Sequence, residues 1–530
     1  EINIQKENVH IPDGTVPRDL LDRYCAEYEE KIRAAGGIDF QLLGVGRSGH
    51  VGFNEPGSPR DSRTRLVFLD TITRADAASD FFGEENVPLE AITMGVASIM
   101  DAHEVVLMAT GEHKAPVVKR AVGGEVHPDV AATYLQQHPN ATIFLDPAAS
   151  AHLTRVATPW LLAEVEWTPE LEREAVIWLS QRVGCSILRL STRDYRDHHL
   201  SSLVARYGSA GPLNGEVFNS LIAKIRGKSK LPTGKKVLVF SPHPDDDVIS
   251  MGGMLRKLVE NRNQVTVAYQ TSGNIAVFDH EVRRYLDFVE RGEAVLGGDT
   301  DDIRGKIRRI RKALAEKRPG QVDIPEVQSL KRVIRETEAV SALESVGLTA
   351  GNARFLNLPF YQTGKVRKDP ISREDVDILH RTLEEIQPRM VFAAGDLSDP
   401  HGTHRMCLEA VEKAMAGYSG PAPDLWLYRG AWQEWPVSEA DVLVPLSEGE
   451  LKQKIMAIFK HQSQKDKAPF PGSDEREFWQ RTEARNRETA DVLARLGLPA
   501  YYAMEAYVVR REGKRVENPV VPTASLGGNG

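Results

Sequence analysis

A chain of 530 residues exceeds a single hydrophobic core, and its length implies roughly three domains. Its 75 acidic and 67 basic side chains leave a net charge of −8, which argues against a nucleic acid or other polyanion as partner. Three widely spaced cysteines, Cys25, Cys185 and Cys407, argue against a disulfide framework, and no apolar run approaches the roughly 18 residues needed to span a bilayer. A cytoplasmic protein with no membrane partner is the resulting expectation, and a homo-oligomer is compatible with it. The chain opens at Glu1 rather than Met, so a segment upstream is expected.

From the N-terminus, Val16 to Ala35 carries Leu20, Leu21, Tyr24 and Tyr28 at the spacing of an amphipathic helix. Ile38 to Val45 reads as a strand and runs into Gly44-Val45-Gly46-Arg47-Ser48-Gly49-His50-Val51-Gly52-Phe53-Asn54-Glu55-Pro56. Polar side chains interleaved with glycines after a strand describe a backbone that approaches a ligand closely. Alone, such a loop is better read as a plain turn.

The order of residues in that loop resembles the active-site loop of glucosamine-6-phosphate deaminases. Ser62-Arg63-Thr64-Arg65, Thr73-Arg74, Ile92 to Val96, Gly111 with Lys114, and Thr133 to Gln136 follow in the family's order. The resemblance implies that His50 assists opening of the sugar ring with Glu55 in its relay. It also implies that Lys114 contacts the substrate phosphate and that Gly49 lies in the substrate-binding loop. Three departures accompany it. Ser48 stands where the family has Asp, no arginine lies near Ser79-Asp80, and the family's phosphate loop and proton-abstracting Asp belong to an earlier segment. The resemblance therefore covers only the later part of the family domain.

Thr158 to Gly227 reads as a mostly helical connector, with Leu171, Ala175, Ile177, Trp178 and Val183 available for burial. Asp197-His198-His199 reads as a solvated turn without assigned chemistry. Arg226 to Lys236, rich in Gly and Lys, is the expected linker. The domain boundaries that follow are 1–157, 158–234 and 235–530.

Val237 to Phe240 is a buried-strand candidate that stops at Ser241-Pro242-His243-Pro244-Asp245-Asp246-Asp247, and Val248 to Leu258 continues with helix-like spacing. One imidazole and three carboxylates in a strand-to-helix loop suit a divalent cation such as Zn²⁺, since ligands bind at the carboxyl ends of strands in open α/β sheets. The alternative is that the aspartates cap the following helix. A second strand candidate, Met390 to Ala394, precedes Asp399-Pro400-His401-Gly402-Thr403-His404. Parallel strands would bring both loops to one sheet edge, where His243, Asp246 and His404 would supply three ligands and leave a position open.

These paired motifs resemble the LmbE/PIG-L family of zinc-dependent N-acetylglucosamine deacetylases. Arg335 to Ala339 with Leu348, His461-Gln462-Ser463-Gln464 and Glu505-Ala506 extend the match over about Lys235 to Arg511. The resemblance implies Asp245 as proton acceptor, His401 as oxyanion stabiliser and Arg335 as a substrate contact. Asp247 stands where the family pentapeptide ends in Glu. Elsewhere, Val265 to Tyr269 reads as a strand whose polar tip, Thr271 to Asn274, faces the same crevice. Asp302 to Lys317 reads as an amphipathic helix with a solvated basic face, and the tail from Glu517 as frayed.

The expected architecture is two α/β, Rossmann-like domains with mainly parallel sheets, joined by a helical connector. The expected substrate is an amino sugar or its phosphate, and the expected function couples N-deacetylation to deamination. The alternative is a deacetylase carrying a sugar-phosphate-binding module that does not turn over.

Overall fold

The computed structural model describes residues 3–78, 81, 84–296, 301–318, 321–364, 368–395, 402–430, 433–465 and 476–510. Ser79-Asp80, Asp399 to His401 and the tail from Glu517 lie outside them. The architecture is α/β with mainly parallel sheets.

In the first half, strands β1 (Phe40–Leu43), β2 (Arg65–Phe68), β3 (Glu90–Thr93), β4 (Glu104–Ala109) and β5 (Ala141–Leu145) form two small sheets. Three of them run parallel in the order β1-β4-β5, and β2 pairs antiparallel with β3. The first helix is shorter than its periodicity suggests. Pro17 precedes a 3-10 turn at Arg18–Leu20, and the α-helix covers Leu21–Ala34. One face of the parallel sheet packs Leu43, Val105 and Leu107 into a core with Val117, Val118 and Leu135. The other face presents Phe40, Leu42, Met108 and Phe144, each at least half exposed.

The second half is built on seven further strands, β6 (Lys236–Ser241), β7 (Gln264–Tyr269), β8 (Ala353–Phe355), β9 (Met390–Ala394), β10 (Asp424–Tyr428), β11 (Val442–Leu446) and β12 (Ala503–Arg510). Their order is β11-β12-β10-β9-β6-β7-β8, and β12 runs antiparallel to both its neighbours, β11 and β10, while the other pairs are parallel. Strand β6 reads as a continuous apolar run because both its faces are covered. Leu238 and Phe240 enter one core, Val237 and Val239 the other. From β6 the chain moves to β7 and β8 on one side, and from β9 to β10 on the other. The gap between β6 and β9 is therefore the topological switch point, where crevices form at strand carboxyl ends.

The stretch from Thr158 does not stand apart as a connector. Its helices, including α1 (Pro169–Val183), bury Trp160, Val176, Leu179 and Leu213 in the same core as Leu238 and Phe240, so they form part of the layer covering one face of the large sheet. Nor is Arg226 to Lys236 a free linker: Ile225 bridges to Leu443, and Arg226 donates its N–H to the Leu443 carbonyl. The helix Asp301–Glu316 buries Ile307, Ile310 and Leu314, while Arg309 pairs with Glu326 and Arg311 with Asp287 and Glu290. Part of its basic face is thus neutralised within the chain. The two halves meet at Arg429, which pairs with Glu112 at 3.1 Å, donates Nε to the Gly395 carbonyl and stacks 3.7 Å from the Trp435 ring centroid.

Candidate active site

The metal-ligand candidates converge as the parallel pairing of β6 and β9 requires. His243 follows β6, Asp246 opens α2 (Asp246–Glu260), and His404 lies in the first turn of the helix Thr403–Ala416 after β9. Asp246 Oδ2 lies 3.1 Å from His243 Nδ1 and 3.2 Å from His404 Nε2, and one donor atom from each residue falls within 4.8 Å of the others. A tetrahedral cation with ligand bonds of about 2.0–2.2 Å spaces its donors by about 3.4 Å, so this set fits Zn²⁺ with little adjustment. Burial works to raise the Asp246 carboxyl, but the flanking His404 and His243 rings hold it well below the usual carboxylate range. Simple capping does not account for the cluster. Asp245, at the N-cap, makes no side-chain cap bond, and Asp246 is turned back to accept the His243 N–H.

Each remaining carboxylate has a different partner. Asp245 Oδ1 lies 3.1 Å from Nη2 of Arg335, a buried side chain of α3 (Pro325–Ser345). Asp247 points away from the cluster into the interior, where Tyr269 donates its hydroxyl to it at 3.1 Å. Burial pushes the Asp247 carboxyl up to about 7 against that hydrogen bond. His461, 2 % exposed, lies in the turn following α4 (Glu448–Ile458), and burial pushes its ring down to about 4.

A second buried network holds the helix that carries Asp246. Helix α2 is interrupted at Met251, and Glu505 accepts the N–H groups of Gly253 and Met254 at 3.0 and 2.8 Å just beyond the break. A carboxylate is the group that satisfies the free amides of a new helical start. Lys454 of α4 neutralises Glu505 at 2.6 Å, and Tyr507 donates its hydroxyl to it. Glycines at 252 and 253 permit this approach, since a Cβ would stand 2.9 Å from Lys454 Cγ and 2.5 Å from Leu446 Cδ2 respectively. Sequence reading noted Glu505 but missed Lys454. The available signal was an acid inside the apolar strand β12, which demands a buried cation.

In the first half, His50 and Glu55 are brought together. His50 Nδ1 lies 2.9 Å from Ser48 Oγ, 3.2 Å from Thr73 Oγ1 and 3.2 Å from Glu55 Oε2. Burial works to raise Glu55, but its hydrogen bonds with His50 and Thr73 hold it below the usual carboxylate range. Gly46 leaves room for the imidazole, and Gly49, at φ +93°, packs against Val130. Lys114 donates to the Val45 carbonyl at 2.9 Å, at the foot of the His50 loop, and burial pushes its ammonium down. The pair at His198-His199 makes no metal cluster among the described residues; His198 Nδ1 lies 2.8 Å from the Asp194 carbonyl oxygen.

Comparison with known proteins divides the chain along the same line. Residues 1–144 match the family of glucosamine-6-phosphate isomerases/6-phosphogluconolactonase, and residues 238–415 match that of GlcNAc-PI de-N-acetylase. A putative glucosamine-6-phosphate deaminase-like protein of Bacteroides thetaiotaomicron is 45% identical over 528 residues, covering 96% of this chain and 80% of that protein. A glucosamine-6-phosphate deaminase of Rhodopirellula baltica is 50% identical over 157 residues, which span 30% of this chain and 62% of that enzyme. Among solved structures, the N,N'-diacetylchitobiose deacetylase of Pyrococcus horikoshii aligns with TM-score 0.33 and 20% identity over 52% of this chain and 84% of that one. The chain belongs to the glucosamine-6-phosphate deaminase-like family of the Bacteroides protein, and in it a deaminase-type segment is fused to a de-N-acetylase-type domain.

Proposed function

We propose that the second half hydrolyses the N-acyl group of an amino sugar, and that the first half binds the phosphate of an amino-sugar phosphate. The observation that carries this reading is the convergence of His243, Asp246 and His404 beside Asp245 at the switch point of the large sheet. These three residues would hold Zn²⁺, which when bound supplies Lewis acidity toward a carbonyl and toward water. Asp245 acts as the proton acceptor. Arg335 occupies Oδ1, which orients the carboxylate and leaves Oδ2 for the proton of the attacking water. Burial of the surrounding groups limits bulk water and strengthens each of these charge interactions. His401, outside the described residues, is assigned to the oxyanion on the strength of its sequence motif alone.

The fusion has a chemical logic. Removing an N-acyl group exposes the amine at C2 that a deaminase needs. The first half nevertheless favours binding over turnover: Ser48, a neutral hydroxyl, stands beside His50 where the family has Asp, so of that pair of carboxylates only Glu55, 3.2 Å from His50 Nδ1, remains to support its basicity.

Metal analysis combined with an acetate-release assay tests the reading. Purified protein should carry close to one zinc per chain and release acetate from N-acetylglucosamine or its 6-phosphate, and His404→Ala should lose most of both. Full activity in a metal-free preparation of His404→Ala would overturn it.

A further inference from the structure

The three segments that carry His243, Asp246 and His404 share one neighbour, the end of β10. Tyr428, the last residue of that strand, donates its hydroxyl to the Phe240 carbonyl at 2.8 Å, three positions before His243. Arg429 donates Nε to the Gly395 carbonyl at 3.1 Å, and Gly395 directly follows β9, which leads to the His404 helix. Gly430, at φ +142°, lies against Ser250, in the short stretch of α2 between Asp246 and the break at Met251. A Cβ on Gly430 would stand 2.8 Å from Ser250 Cα. Trp435 folds back over the end of β9, where a Cβ on Gly395 would stand 2.7 Å from its ring. Three consecutive residues therefore touch the three ligand-bearing segments.

Arg429 is the charged member of that trio, and it is only 8 % exposed. A guanidinium taken out of water needs an anion to offset its desolvation. The anion comes from the other half of the chain: Glu112 Oε1 lies 3.1 Å from Arg429 Nη1, while the Trp435 ring stacks against the guanidinium. Glu112 is itself held firmly. It opens the 3-10 turn Glu112–Lys114, where the Gly111 N–H donates to the Asp146 carboxylate at 3.0 Å and Lys114 donates to the Val45 carbonyl at 2.9 Å. Removing the Glu112 charge would leave the guanidinium without its counterion and weaken its hold on the Gly395 carbonyl. Groups that orient metal ligands from outside typically carry about ten- to hundredfold in affinity or activity.

We propose that Glu112 of the first half is a positioning residue for the metal centre of the second, acting through Arg429 on the segments that carry His243, Asp246 and His404. The deaminase-type segment thereby supports the hydrolytic site as well as holding its own loop. The effect on acyl hydrolysis rests on the deacetylase reading; the effect on the ligand-bearing segments does not.

Three measurements on the full chain test the proposal: zinc titration of metal-stripped protein, acetate-release kinetics, and amide hydrogen exchange without metal or substrate. Arg429→Lys, which loses the planar fork, should weaken zinc binding and lower kcat by about ten- to hundredfold. Glu112→Gln should cost about tenfold in both with KM little changed, and Glu112→Asp, which keeps the charge, should recover most of the loss. The double variant Glu112→Gln/Arg429→Lys should be no worse than Arg429→Lys alone, because one residue acts through the other. Exchange in Glu112→Gln should quicken at Gly395 and from Ile249 to Met254, while Val105 and Leu107 in the first-half core stay as in wild type. That pattern separates positioning from loss of fold. Wild-type zinc affinity, kcat and exchange in Glu112→Gln, or losses that multiply in the double variant, would overturn the proposal. If wild type hydrolyses no N-acyl amino sugar yet Glu112→Gln weakens zinc binding or quickens exchange, the functional reading fails and the positioning role stands. If wild type and Glu112→Gln release acetate equally and bind zinc equally, the positioning role fails and the functional reading stands.

Discussion

The two parallel sheets of this chain differ in what covers them. In the large sheet, all of β9 and nearly all of β6 are buried, with apolar layers on both faces. In the small one, Leu43, Val105 and Leu107 are buried, but Phe40, Leu42, Met108 and Phe144 are 50–56% exposed on the opposite face. Register is strongly specified wherever a face of a strand is buried, as it is along β6 and β9. The His243, Asp246 and His404 donors, carried at the ends of β6 and β9, are accordingly assembled into one cluster. In the small sheet only one face is packed, and the His50 loop depends on local bonds to Ser48, Thr73 and Glu55. One site is set by the sheet beneath it, the other by its own loop.

Four substitutions sharpen or break that contrast, and they fall in order of expected effect. Asp245→Asn removes the proposed proton acceptor while leaving His243, Asp246 and His404 intact. Acetate release should fall about 10²–10⁴-fold with zinc retained. Near-normal turnover on a confirmed substrate would refute the role.

Lys454→Met strips Glu505 of its buried cation beneath the large sheet. Breaking a buried pair by removing one partner typically costs about 3–5 kcal/mol, so chemical denaturation should show a loss of that order. Because Glu505 holds the break in α2, the loss should extend to zinc affinity. Unchanged stability and metal binding would mean that the network does not support Asp246.

In the first half, Lys114→Ala should weaken binding of glucosamine 6-phosphate by about tenfold, the effect of one charge-assisted hydrogen bond. The 530-residue chain should release little ammonia from that compound. A coupled ammonia assay checks this, and robust turnover would show that Ser48 does not disable the His50 relay.

Phe144→Ser alters the uncovered face of the small sheet. Surface substitutions commonly stay within about 0.5 kcal/mol, and denaturation of the 530-residue chain should show no more. A loss of several kcal/mol would show that this face is packed in solution, and the contrast between the two sheets would fall.

The sequence by itself determined the elements whose signals are local. The apolar run 237–240 lies inside β6, Met390 to Ala394 coincides with β9, and the acidic loop between β6 and α2 follows from Pro242 and Pro244 ending a strand. The candidate ligands were legible because both histidine-bearing loops follow such runs. Tertiary structure decided the rest, since neither periodicity nor turn chemistry reports which distant groups meet. Arg335 reaches Asp245 across ninety positions of chain, and Lys454 and Glu505 meet beneath α2, because helices pack against a sheet whose order differs from chain order. The stretch from Thr158 resembled a connector because its helices look alike in sequence whether they bridge domains or cover a sheet. Their side chains fall in one buried cluster with Leu238 and Phe240, and burial, not composition, turned Asp247 inward to Tyr269 while Asp246 met the histidines.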